Sequence, residues 1–226
     1  MVRNSLVSHS LYATAFVVCL GLTATPVSAQ NAPPLPLPSE IRIANDNLGS
    51  IPIDGISLGE MRIVFNRTTL LDVETTVLLG TIDHAGDAGA SKYWLCYTVT
   101  RGRHAERLWI VSDGEMGGTE HEVTGAFATR LDPKRVLMSD CPELPRRFSS
   151  IVLSNGLWLG DPANKVTSAL KTAPGGSDGW WGYLYEGKTA ITVRGQLVHF
   201  DATSSLDVKL HRGQVVGINA KEILSD

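Results

Sequence analysis

Cysteine is scarce in this chain, and the scarcity is informative. Three occur, at Cys19, Cys96 and Cys141. No two form a C-x-x-C pair, so neither a thiol redox motif nor a metal site built on cysteines has its usual spacing. An excess of one charge is also missing. Lysine and arginine total 20 against 23 acidic residues, and there is no long basic run. A mildly acidic protein has no electrostatic reason to seek nucleic acid or anionic lipid. No apolar stretch is long enough to cross a bilayer as a helix. The chain has no G-x-S-x-G, no phosphate loop and no dinucleotide fingerprint. "HEVTG" opens like a zinc-protease helix but carries Gly125 where the second histidine belongs. "DGEMGGTEHE" holds several carboxylates without the order of a calcium loop. No cofactor is expected.

The N-terminus reads as a targeting segment. Arg3 precedes the apolar run "LYATAFVVCLGL", and "PVSA" ends in small residues. That pattern predicts a secretory signal peptide over residues 1–29, cleaved after Ala29. Phe16, Val17 and Val18 lack the small residues of a lipid-attachment box before Cys19. The mature chain would be periplasmic or secreted. Loss of Arg3, the leader's one charged residue, takes the net charge from −3 to −4. Cys96 and Cys141 would then remain in an oxidising compartment and form one disulfide. In the chain-entropy account such a bridge stabilises by roughly 3–4 kcal/mol.

Residues 30–40, "QNAPPLPLPSE", predict an extended, solvated spacer. Globular sequence follows in two stretches, 41–131 and 151–226, joined by a proline- and charge-rich linker at 132–150. In the first stretch "TTLLDVETTVLLG" predicts a helix. Thr69 and Asp72 give its start signal, Leu70, Val73 and Val77 its apolar face, and Gly80 its stop. "HAGDAGAS" reads as loop. "KYWLCYTVT", "RLWIVSD" and "HEVTGAFATRL" read as strands. In the second stretch Asp161 is the expected N-cap, Pro162 the first helical residue and Pro174 the stop. "GWWGYLYEG" and "ITVRGQLVHFDA" follow as strands, then a hairpin turning at Arg212-Gly213.

The two stretches correspond. "ISLG" (56–59) matches "LWLG" (157–160), and "YWLCY" (93–97) lies over "WGYLY" (181–185). "EVTGAFATRL" (122–131) lies over "QVVGINAKEI" (214–223), with Gly125 and Gly217 in register. The expected fold class is therefore α+β: two tandem related modules, each a short helical element packed on an antiparallel β-sheet.

A Leu-Gly turn (Leu159, Gly160) and a helix carrying Val166 and Leu170 are followed by Pro174, the aromatic strand of Trp181, Tyr183 and Tyr185, and a hairpin with Gly213, Val215 and Ile218. Together these resemble the SmpA/OmlA (BamE-type) envelope module, which β-lactamase inhibitor protein carries in tandem. The likeness covers residues 157–224 well and 56–131 more loosely. Lys171 stands where that family has glycine, and the lipid box of its envelope-assembly members is missing. The resemblance implies a helical element on one face of an antiparallel sheet, and protein binding as the activity.

Alternation along a strand puts Trp181, Tyr183 and Tyr185 on one face, and Tyr93 and Tyr97 on the matching face. Such side chains suit a protein-binding surface, because rigid amphipathic rings lose little entropy on ordering. These five residues are the candidate partner-binding set; their alternative role is packed core. The expected function is an exported, non-enzymatic protein that recognises a protein partner through this aromatic sheet face. The competing reading is a periplasmic hydrolase or metal-dependent enzyme. It would use His199 and Asp201, which share a strand face, or His84 in its loop.

Overall fold

In the computed structural model, described for residues 52–87, 90–102, 104–114, 120–131, 141–171, 179–193 and 195–225, antiparallel strands dominate. The leader and proline-rich spacer lie outside the described residues, as does most of the linker, 132–140. Strands β1 (Gly55–Leu58), β2 (Met61–Val64) and β7 (Ile151–Leu153) form a small sheet in the order β2-β1-β7. The large sheet contains β3 (Asp83–Ala85), β4 (Lys92–Arg101), β5 (His104–Asp113), β6 (Gly125–Leu131), β8 (Trp180–Val193), β9 (Gln196–His211) and β10 (Gln214–Ser225). Its order is β3-β4-β5-β6-β10-β9-β8. Among the described residues the α-helices are α1 (Leu70–Val77) and α2 (Ala163–Leu170), each of eight residues.

The expected tandem α+β architecture is thus corrected. Instead of two sheets, each under its own helix, one seven-stranded sheet runs through both stretches and two short helices are added to it. The join is the β6–β10 ladder, where Gly217 faces Thr129 and Lys221 faces Gly125. The segments that match in sequence are therefore antiparallel neighbours. The physical reason is the cost of an edge. A three-stranded meander ending at β6 or β10 would leave a row of backbone donors and acceptors unpaired, and each closes the other's row. Gly125 permits the approach: a Cβ there would collide with the Ala220 carbonyl.

Helix α1 starts as its sequence dictates. Thr69 Oγ1 accepts from the Asp72 N–H, and Asp72 accepts from the Thr69 N–H at 2.9 Å, a complete capping box. Leu70, Val73 and Val77 are buried. The left-handed residue that ends the helix is Leu78 (φ 59°), two residues before the expected glycine. In α2 the N-cap is Pro162 rather than Asp161. Asp161 is engaged one turn earlier: it accepts from the Trp158 N–H at 2.7 Å and pairs with Lys165 at 2.9 Å. Pro174 lies outside the described residues. Two strand readings also shift. His84, expected in a loop, sits in β3, and β6 begins at Gly125, after a turn in which His121 has positive φ (52°).

The main core fills the space between one face of the large sheet, the two helices and the small sheet. Leu70, Val73, Val166 and Leu170 meet Leu95, Tyr97, Leu108, Ile110, Leu206 and Ile218 there. A second cluster lies on the opposite face: Trp94, Trp109 and Phe127 around the Cys96–Cys141 disulfide. That bridge draws residues 142–144 against β4, where Thr98 and Leu144 donate to Pro142 and Thr98 carbonyls, both at 2.8 Å. Among the described residues no helix is long and apolar enough to cross a membrane.

Candidate functional site

Side-chain alternation holds throughout β4 and β8: Tyr93, Tyr97, Trp181, Tyr183 and Tyr185 all fall on one sheet face. That face is the one the helices and small sheet cover. Tyr97 is 0% exposed and its hydroxyl donates to the Leu79 carbonyl at 2.9 Å. Burial first, and Glu74 second, hold its ionisation far above the ordinary tyrosine range. Tyr183 is 3% exposed, and burial pushes its hydroxyl up to about 12. Both are core side chains. The other three are half-buried. Tyr93 lies between two imidazoles, 4.4 Å from His84 and 3.8 Å from His121 by ring centroids. Trp181 packs against the core, and the Tyr185 ring lies along its own strand over Gly187, where a Cβ would collide with it.

Four strands separate β4 from β8 in the sheet. At the ladder spacing of about 4.8 Å, the two aromatic groups stand roughly 24 Å apart. They do not form one patch. His199 and Asp201 share the opposite face of β9, both exposed, and Asp201 pairs with Lys188 at 3.5 Å. Ser225 stands across the ladder from Asp201, but among the described residues no hydrogen bond ties His199, Asp201 and Ser225 together. His84 contacts Ser91 at 3.4 Å, and among the described residues no three His, Cys, Asp or Glu side chains gather as a metal site.

What the structure does assemble lies along β8. The ladder between β9 and β10 begins at Asp201, so residues 189–193 and 196–200 project beyond it as a two-stranded ribbon. Among the described residues β8 pairs only with β9, which makes it the sheet's edge. The Leu210 N–H donates to Gly179 O at 2.8 Å, fixing the phase of the ladder. Odd-numbered residues of β8 bond β9; the N–H and C=O groups of Gly182, Leu184, Glu186, Lys188, Ala190 and Thr192 turn outward. The Arg67 guanidinium meets one of these, donating to Ala190 O at 3.4 Å.

Beneath the ribbon is a cleft of about 350 Å³ between β8 and the turn that follows β2. Phe65, Val64, Ile191 and Tyr185 line its apolar part, with Arg62, Arg67, Asp54 and Lys188 at its charged part. Glu222, 8% exposed, also lines it. Asn66, held at φ 57°, donates to Glu222 Oε2 at 3.0 Å, and Ser204 donates to Oε1 at 3.4 Å. Burial raises the Glu222 carboxyl above its ordinary range, against the pull of these two bonds; Asp54 adds to the rise and Arg67 opposes it. Sequence reading missed this site. Its residues come from segments more than a hundred positions apart, and only Tyr185 carried a visible signal.

No family model, no curated protein and no solved structure matches the chain.

Proposed function

We propose that this is an exported, non-enzymatic binding protein whose partner is another protein, and that the partner docks an extended segment along β8. One observation carries the reading: a 14-residue strand ends the sheet, and its outward backbone groups find no strand partner among the described residues. Strand addition to such an edge takes its affinity from main-chain hydrogen bonds and its selectivity from alternate side-chain sites. The half-buried rings of Trp181 and Tyr185 flank this edge on one face and supply such sites. The Cys96–Cys141 disulfide suits an oxidising compartment, in keeping with the signal peptide read at residues 1–29. The likeness of residues 157–224 to the SmpA/OmlA module points to protein binding in the same way.

The phase of the ladder supplies the test. Proline at 186 removes an outward N–H and leaves the bonds to β9 intact, and proline is tolerated on edge strands. Affinity capture from envelope extracts with the mature protein should retain a reproducible protein, and Glu186→Pro should lose it while keeping its melting temperature. A partner retained equally by Glu186→Pro, or no reproducible partner at all, contradicts the reading.

A further inference from the structure

We propose that the cleft under the β8–β9 ribbon is a binding site for a carboxylate carried on an apolar body, with Arg67 as the group that recognises it. Arg62 is already paired with Asp54 at 3.2 Å, and Lys188 with Asp201 at 3.5 Å. Glu222 is held by Asn66 and Ser204. Arg67 is exposed, and among the described residues its one hydrogen bond is a single long donation to Ala190 O at 3.4 Å. A guanidinium has five N–H donors in a planar fork that matches a carboxylate with two parallel bonds. Among the described residues no carboxylate bonds the Arg67 fork directly, although Glu222 attracts it from farther off, so its donors are available to a carboxylate in the cleft. A carboxylate brings one charge to this fork; a phosphate dianion brings a second toward Asp54 and Glu222.

The rest of the cleft describes the ligand's body. Val64, Ile191 and the Tyr185 ring present carbon surface beside the buried Phe65. Its volume of about 350 Å³ falls within the range of small-molecule sites. Two sources share this chemistry: a small free acid, and the α-carboxylate that ends a polypeptide. The two sites share the Tyr185 ring, but the ligand of this one does not use the outward backbone of residues 182–188, which strand pairing needs.

The test uses the mature protein and titration calorimetry. The probes are N-acetylphenylalanine, its neutral carboxamide, inorganic phosphate, and a short peptide ending in phenylalanine with a free or an amidated C-terminus. The acids should bind, while the amides and phosphate should not bind at the same concentrations. Arg67→Gln should weaken the acid about tenfold or more, with Arg67→Lys between, as expected when a charge-assisted fork is lost. A free-acid peptide that binds about tenfold tighter than N-acetylphenylalanine identifies a polypeptide terminus as the source; equal affinity identifies a small acid. Glu186→Pro should bind the acid as the parent does, so failure of the strand reading and failure of this one are separable. Amides that bind as well as acids, an Arg67→Gln protein of unchanged affinity and melting temperature, or no binding by any acid overturns the proposal.

Discussion

Asp207 has a pH-dependent cost written into its position. It lies on the sheet face opposite the main core, 4% exposed, with the Asn219 amide donating to it at 3.2 Å. Burial raises its carboxyl from 3.8 to about 6, and the Asn219 bond only partly offsets that. A carboxyl raised in the folded state binds more protons there than in the unfolded chain. Its contribution to stability is therefore full below about pH 4, falls as the pH rises toward 6, and stays low above that. The span is on the order of 2–3 kcal/mol. Asp207→Asn keeps an acceptor for Asn219 and removes the charge. The variant should exceed the parent in stability at pH 7 and approach it at pH 4. Urea unfolding at the two pH values checks this, and an equal difference at both would contradict it. Glu222 titrates in the same direction, so the parent's slope with pH should exceed that of Asp207 alone.

At the scale of single elements, the two starts of helix behave differently. Thr69 and Asp72 form a closed local unit, so Thr69→Ala should cost about 1 kcal/mol in urea unfolding. Asp161 carries the same kind of signal, yet its carboxylate serves the Trp158 N–H and Lys165. Asp161→Ala should therefore loosen the 156–161 turn and leave the helical content of α2 intact by circular dichroism. The contrast shows what was legible in the sequence. Signals complete within four residues, such as the capping box, the strand alternation and the Arg212-Gly213 turn (φ 51° and 74°), read correctly. Alternation assigns a side chain to a face and does not say whether that face is covered. Tyr97 and Tyr183 followed the rule and lie in the core because the helices and small sheet close over them. The cleft was illegible for a related reason. Arg67, Tyr185 and Glu222 meet through strand order, and no local pattern encodes strand order.

Over the whole molecule, the β6–β10 ladder makes the two stretches one mechanical unit. Their shared sheet predicts a single cooperative unfolding transition, with calorimetric and van't Hoff enthalpies in agreement. Two resolved transitions would instead mark separate domains. The Cys96–Cys141 bridge spans 45 positions and holds residues 142–144 against β4. Replacing both cysteines by alanine should cost roughly 3–4 kcal/mol in urea unfolding, through the greater freedom of the unfolded chain. The transition should stay single, since the ladder that joins the stretches does not depend on the bridge.

The account rests above all on β8 being an open edge whose backbone groups alternate between β9 and solvent. Residue-resolved amide hydrogen exchange on the mature protein tests this most directly. Tyr183, Tyr185, Gly187 and Thr189 should exchange slowly, and Gly182, Leu184, Glu186 and Lys188 rapidly, in strict alternation along the strand. Uniform protection of all eight amides would mean that the edge is already occupied, and would contradict it.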